Sequence, residues 1–258
     1  MRFKDKVVLV TGSSHNTGLE IASLFIKEGA RVIVHGSTNE TVQEGVEKLK
    51  SIGMKNFKSV SADISDIDQV RRMFLLIKNE FGRLDILVNN ACNQGIGESF
   101  ENMDFSFFQH VINVNVMGTF MVSQQAVKLM MTQKSKGVIV NLGSNISTRA
   151  IHNRTAYITS KGAIDALTKS MATDLGPFGI RVNMVAPGYI FTNRWDVLSE
   201  EIKIRRRKNV PLGKEAKGKD IAEAVAFLAS DCASAISGVR LLVDGGISAQ
   251  HLPVDVDF

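Results

Sequence analysis

At 258 residues and 28.2 kDa, with 44% hydrophobic and 22% charged residues, the chain has the length for a large core and an ordinary globular composition, which excludes disorder as the starting expectation. A net charge of +5 is a modest excess that suits an anionic ligand as readily as nucleic acid, so it calls for no nucleic-acid partner. The two cysteines, Cys92 and Cys232, supply neither a disulfide framework nor metal-ligand spacing, and no stretch approaches a membrane span, so the expectation is a reduced, cytoplasmic protein without metal or membrane.

The apolar run 7–10 is too short for a signal-peptide core and reads as a first strand. It leads into Thr11-Gly12-Ser13-Ser14-His15-Asn16-Thr17-Gly18 and then an amphipathic stretch, 19–27. Glycines at a strand-to-helix turn let backbone approach a pyrophosphate, and the helix start adds N–H groups and partial positive charge. Gly and Ser also favour plain turns, but the place of this one, inside the first strand–helix–strand unit, favours the phosphate reading. Gly12, Ser14, His15, Asn16, Thr17 and Gly18 are the candidate contacts.

A second strand, 31–34, ends in His35-Gly36-Ser37-Thr38-Asn39, with no carboxylate to bond an adenosine ribose and repel an extra phosphate. Ser37, Asn39 and His15 can accept that phosphate, so NADP(H) is favoured, with NAD(H) the alternative since no Arg or Lys stands there. His35 itself reads as a packed strand residue rather than a ligand. Further strands are expected at 57–60, 86–88, 138–141, 180–185 and 240–243, and helices at 41–52, 68–81, 108–131, 156–174 and 221–230. Near-continuous apolar strands alternating with helices imply an α/β fold, a doubly wound parallel sheet of about seven strands buried on both faces, in one domain spanning 1–258.

Within the 156–174 helix, Tyr157 and Lys161 are four residues apart and share a face, with Ser144 upstream. An ammonium beside a phenol favours the phenolate, which suits proton transfer near neutral pH. The spacing alone is common on helices, so its neighbours must decide. After Pro187-Gly188 the rhythm breaks, and residues 189–217 read as a lid or binding loop carrying Trp195 and the run Arg205-Arg206-Arg207-Lys208, taken as a solvated face.

Together these residues resemble the short-chain dehydrogenase/reductase family over nearly the whole chain, with its Rossmann-type sheet. The turn is similar to the family's T-G-x-x-x-G-x-G, Asp63-Ile64 to its adenine contact, and Asn89-Asn90-Ala91-Cys92 to its N-N-A-G. Asn115, Ser144, Tyr157 and Lys161 match its catalytic tetrad, Pro187-Gly188-Tyr189-Ile190-Phe191-Thr192 its segment over the nicotinamide, and Asp244-Gly245-Gly246 its last turn. Two positions depart. Asn16 stands for a glycine but tolerates left-handed backbone. Cys92 stands for another and reads as a small filler before it reads as a reactive thiol.

The resemblance implies Asn90, Ala91, Tyr157, Lys161, Pro187, Gly188, Ile190 and Thr192 as further cofactor contacts. It also implies Tyr157 as general acid and base, Lys161 as holder of the nicotinamide ribose, Ser144 bonding the substrate oxygen, and Asn115 anchoring a water. Candidate substrate contacts are Ser144, Ile146, His152, Tyr157, Tyr189 and Trp195, with Phe100 and Phe191 beside them. Their mix points to a secondary alcohol and ketone of a small polar or cyclic substrate. The segment 93–100 does not resemble the I-T-R-D stretch of bacterial 3-ketoacyl-carrier-protein reductases, which leaves a ketoacyl-thioester reductase as the alternative reading. A dinucleotide-sensing protein without catalysis is the third. The resemblance further implies a homotetramer, with the tail beyond Gly246 reaching a neighbouring subunit's site.

Overall fold

A computed structural model describes residues 1–97 and 99–252. Seven strands form one parallel sheet in the order β3-β2-β1-β4-β5-β6-β9, where β1 is Val7–Val10, β2 Arg31–Gly36, β3 Phe57–Ser61, β4 Ile86–Asn89, β5 Val138–Leu142, β6 Arg181–Pro187 and β9 Arg240–Val243. Along β1 the alternation of side chains splits the core in two. Val8 and Val10 join α1 (Asn16–Lys27) and α8 (Gly218–Ala229) on one face. Val7 and Leu9 join α3 (Ile67–Phe81) and α5 (Thr119–Met130) on the other. Strands covered on both faces are built mainly of apolar residues, and β1 and β4 are buried throughout, Asn89 at the end of β4 being the polar exception. The edge strand β3, FKSVS, has one open side and no fully buried residue. The doubly wound sheet expected from the sequence is the observed fold.

Chain order reverses between β1 and β4, so a crevice opens at the carboxyl ends of these neighbours. α2 (Asn39–Ser51) starts beside it at the end of β2. Its Thr38 cap accepts Thr41 N–H at 3.3 Å.

Two stretches differ from the sequence reading. The single helix expected at 108–131 is divided into α4 (Phe105–Ile112), a π-helical turn at Asn113–Gly118, and α5. Hydrogen bonds of Asn115 and the close seat of Gly118 on Ile64 hold the extra residue in place. The excursion 189–217 is also more ordered than an open loop. β7 (Ile190–Phe191) pairs in parallel with β8 (Ala216–Lys217), and α7 (Glu200–Lys208) lies between them. α7 has no apolar stripe to announce it, but Ser199 caps its start and four basic residues occupy its last turn.

Candidate active site

The Gly-rich turn is fastened from both sides. Thr11 Oγ1 accepts the N–H groups of Asn90 and Ala91 at 3.0 and 3.1 Å, and Asn90 Nδ2 donates to the carbonyls of Thr11 and Gly12 at 2.9 Å each. Gly18 opens α1 so close to this lattice that a Cβ there would lie 2.2 Å from Gly12 O and 2.5 Å from Asn90 Nδ2. Asn16 adopts φ +48°, the left-handed angle its substitution for glycine required.

α1 begins after His15, whose side chain caps nothing, and its first turn holds no acidic residue. Its N–H groups therefore face outward in a positive field, the arrangement that suits a pyrophosphate. His15 and Asn16 are exposed, whereas Ser14 is buried and its Oγ donates to His35 O at 3.3 Å, so Ser14 presents backbone rather than hydroxyl to the crevice.

The adenosine end of the crevice is defined by the ends of β2 and β3. Ser37, Thr38 and Asn39 are exposed there, with Asn39 Oδ1 accepting from Ser61 Oγ at 2.5 Å and Glu40 exposed in the first turn of α2. Asp63 Oδ1 accepts Ser65 N–H at 2.9 Å and Ser65 Oγ at 2.7 Å, which fixes the turn that carries buried Ile64.

At the carboxyl end of β5 the four residues read from the sequence come together. α6 (Thr155–Leu175) buries Ala156, Ser160, Lys161, Ile164 and Thr168, one face spaced by helical turns, against the sheet. Lys161 is 4% exposed, and its Nζ lies 5.5 Å from the centre of the Tyr157 ring while donating to Leu142 O at 2.7 Å. Ser144 follows Leu142 by two residues and is partly exposed, its Oγ receiving a long 3.4 Å bond from Ile146 N–H.

Asn115 Oδ1 accepts Asn93 N–H at 2.7 Å, and its Nδ2 donates to Asn93 O at 2.8 Å and Ser160 Oγ at 2.9 Å. The side-chain amide thus ties the 90–97 loop to α6, with both of its donors engaged. Gly95 in that loop backs onto the tyrosine, since a Cβ there would sit 3.1 Å from Tyr157 Cβ. Cys92 is half-buried between Ala91 and Asn93.

Below the tetrad runs a buried amide ladder. Asn89 Nδ2 donates to Asn141 Oδ1 and Ser123 Oγ at 2.8 Å each, and Asn141 Nδ2 donates to Thr168 Oγ1 at 2.9 Å. It ties α5 and α6 to β4 and β5 beneath the site.

Of the candidate substrate contacts, Ile146 is partly exposed, Tyr189 is exposed and His152 is exposed on a turn. Trp195 is different. It is 3% exposed, its Nε1 donates to Ile190 O at 2.8 Å, and Arg206 and Arg207 stack on it at 5.6 and 5.5 Å. Arg206 also covers Tyr189 at 5.4 Å, and Arg207 grips Glu215 through two bonds of 2.8 Å. Arg205 and Lys208 are exposed, as a solvated face requires, but Arg206 and Arg207 are not: they clamp the segment together.

Pro187 and Gly188 lead into this segment, with Gly188 N–H on Val243 O at 3.1 Å, Ile190 in β7, and Thr192 before a 3₁₀ turn. Phe100 and Phe191 are exposed at 77% and 45%, and Ile96 and Ile151 at 61% and 48%, so the strand-end loops present apolar side chains to solvent.

Asp244, in the last turn, is more than a turn residue. Although burial opposes its charge, hydrogen bonds from Ser248 and Gly246, together with the Asn145 amide at 3.4 Å, hold its carboxyl below the usual range. It thereby joins the last turn to the residue after Ser144. The start of the tail is bound at home, since Arg149 donates to Ile247 O and Gln250 Nε2 donates to Asn209 O at 2.8 Å. Residues 253–258 of the tail, and Glu98 of the 93–100 segment, lie outside the described residues.

A family profile described as Enoyl-(Acyl carrier protein) reductase matches residues 12–248. The chain is 40% identical over 248 residues to a 3alpha-hydroxysteroid dehydrogenase of Mediterraneibacter gnavus, covering 95% of this chain and 98% of the relative. It is 37% identical over 245 residues to a 3-oxoacyl-[acyl-carrier-protein] reductase, FabG, of Staphylococcus aureus, covering 94% and 98%. Among solved structures, levodione reductase superposes with a TM-score of 0.90 at 30% identity, covering 97% of this chain and 100% of that one.

Proposed function

Since the chain belongs to the short-chain dehydrogenase/reductase family, we propose that it interconverts a secondary alcohol and its ketone on a small polar or cyclic substrate, with Tyr157 as general acid and base. The observation that carries this reading is the buried Lys161 ammonium 5.5 Å from the Tyr157 ring, beside Ser144 at the end of β5. The nicotinamide cofactor supplies or accepts the hydride. Tyr157 gives its proton to the carbonyl oxygen in reduction and takes it back in oxidation. Lys161 favours negative charge on the tyrosine oxygen, and with one N–H held by Leu142 O it has two left for the nicotinamide ribose and a water. Ser144 bonds the substrate oxygen and holds it within reach of Tyr157. Because both donors of the Asn115 side chain are engaged, a relay water is held there by backbone that the π-helical turn frees from the α-helical ladder.

NADP(H) is the favoured cofactor, supported by the exposed hydroxyls of Ser37 and Thr38 and the absence of a carboxylate at the end of β2. The exposed carboxylate of Glu40 supports NAD(H) as the second reading. For the substrate, exposed apolar side chains at the strand-end loops and likeness to a hydroxysteroid dehydrogenase support a cyclic alcohol. Likeness to FabG supports a 3-ketoacyl thioester as the alternative. A screen of the purified enzyme with cyclic alcohols, hydroxysteroids, sugars and acetoacetyl thioester, each with NADP(H) and NAD(H), tests both choices. Highest kcat/KM on a cyclic alcohol with NADP(H) supports the reading; highest kcat/KM on the thioester replaces it.

A further inference from the structure

His35, at the end of β2, is 1% exposed and bonded through every polar atom it owns. Its backbone N–H donates to Ser13 Oγ at 2.9 Å, and its carbonyl accepts Ser13 N–H at 2.9 Å and Ser14 Oγ at 3.3 Å. Its ring lies between Gly12 N, 3.1 Å from Nδ1, and Ala62 O, 3.0 Å from Nε2.

The partners decide the proton. A backbone N–H can only donate, so Nδ1 must be a bare acceptor; a carbonyl can only accept, so Nε2 must carry the hydrogen. An imidazolium, or the other tautomer, would set two donors against Gly12 or two acceptors against Ala62. Burial agrees: it pushes His35 down to about 4 despite the opposing pull of the Ala62 carbonyl and the Asp63 carboxylate, so the ring is neutral at working pH.

We propose that His35 is a positioning residue for the dinucleotide turn, setting the backbone of Gly12 through its neutral Nε2–H tautomer and bracing it against the end of β3. This rests on the dinucleotide reading of the turn. Gly12 is the hinge between β1 and the turn, at φ +61°, and its carbonyl is shared with Asn90. A ring pinned from below therefore pre-organises the N–H groups that face the crevice, which lowers the ordering cost of binding. The residue touches no ligand itself.

Two substitutions separate this role from plain core support. In His35→Asn the side-chain oxygen can replace Nδ1 as acceptor for Gly12 while Ala62 O loses its donor. In His35→Gln the amide can replace Nε2 as donor to Ala62 while Gly12 N–H is left buried and unpaired. Cofactor dissociation constants, measured by titrating NADPH and NADH fluorescence without substrate, are expected to stay within about threefold of wild type for Asn. For Gln they are expected to rise about tenfold, the cost of one unmet buried donor. Equal affinity for both variants, or wild-type affinity for Gln, overturns the proposal.

A measurement on the unaltered protein stands beside these. Imidazole nitrogen NMR should show His35 as the Nε2–H tautomer, unchanged from pH 8 to about pH 5, and a protonated Nδ1 overturns the proposal outright. If the wild-type protein binds neither dinucleotide, it is the cofactor reading that fails, while the tautomer result still reports on His35 alone.

Discussion

Lys161 carries a charge at 4% exposure, a costly position unless its hydrogens are bonded, and Leu142 O meets one of them at 2.7 Å. In the proposed mechanism its other two hydrogens serve the nicotinamide ribose and a water, so its loss should be felt in turnover and in binding together. Lys161→Ala is expected to lower kcat by about 10²-fold or more and to raise the cofactor KM; steady-state kinetics within threefold of wild type in both would remove Lys161 from the chemistry. The candidate tetrad could be picked out by family resemblance, because its members stand in order on consecutive elements. His35 could not. Its partners, Gly12 and Ala62, come from the ends of two other strands, and only the pairing of β2 between β1 and β3 brings them to one ring.

Hydrophobic pattern fixed the strands, since β1 and β4 are buried at every position, but it could not report elements that bury nothing. α7 has no buried residue, and its order comes from a cap at Ser199 and from two arginines laid on Trp195. For the same reason the indole, a tempting substrate contact in sequence, is the centre of the 189–217 segment rather than its surface. The break in the long helix at Asn113–Gly118 was likewise silent, because its cause is the bonds of Asn115 to Asn93 and Ser160 on other elements. Trp195→Ala removes a buried ring worth about 3–5 kcal/mol to its surroundings. Protease cleavage within 189–217 and the substrate KM are both expected to rise, with the cofactor dissociation constant unchanged; an unaltered substrate KM would show that the segment does not shape the site.

At the scale of the whole molecule, the buried neutral His35 links stability to pH. Burial holds it at about 4 in the folded chain, below the ordinary histidine value of 6.5, so between those values the unfolded chain binds a proton that the native state refuses. The stabilisation is therefore complete above pH 6.5 and is lost as pH falls towards 4, amounting to a few kcal/mol. Denaturant midpoints measured from pH 7.5 to 4 should fall for wild type and fall less for His35→Asn; parallel curves would mean other groups govern the decline. Exposed Phe105, Met117, Phe120 and Met131 follow one another along α4, the π-helical turn and α5, an apolar surface that favours self-association. Light scattering on wild type is expected to give about four times 28.2 kDa, and Phe120→Glu a smaller species; a monomeric wild type would contradict the tetramer. In the proposed mechanism the Tyr157 phenol moves the proton, while most of the hold on the cofactor comes from the Gly-rich turn, the strand ends and Lys161. Tyr157→Phe tests it most directly, with NADPH affinity and turnover measured on the same sample. NADPH affinity is expected to stay within about threefold of wild type and kcat to fall by at least about 10³-fold. Turnover near the wild-type rate would contradict it.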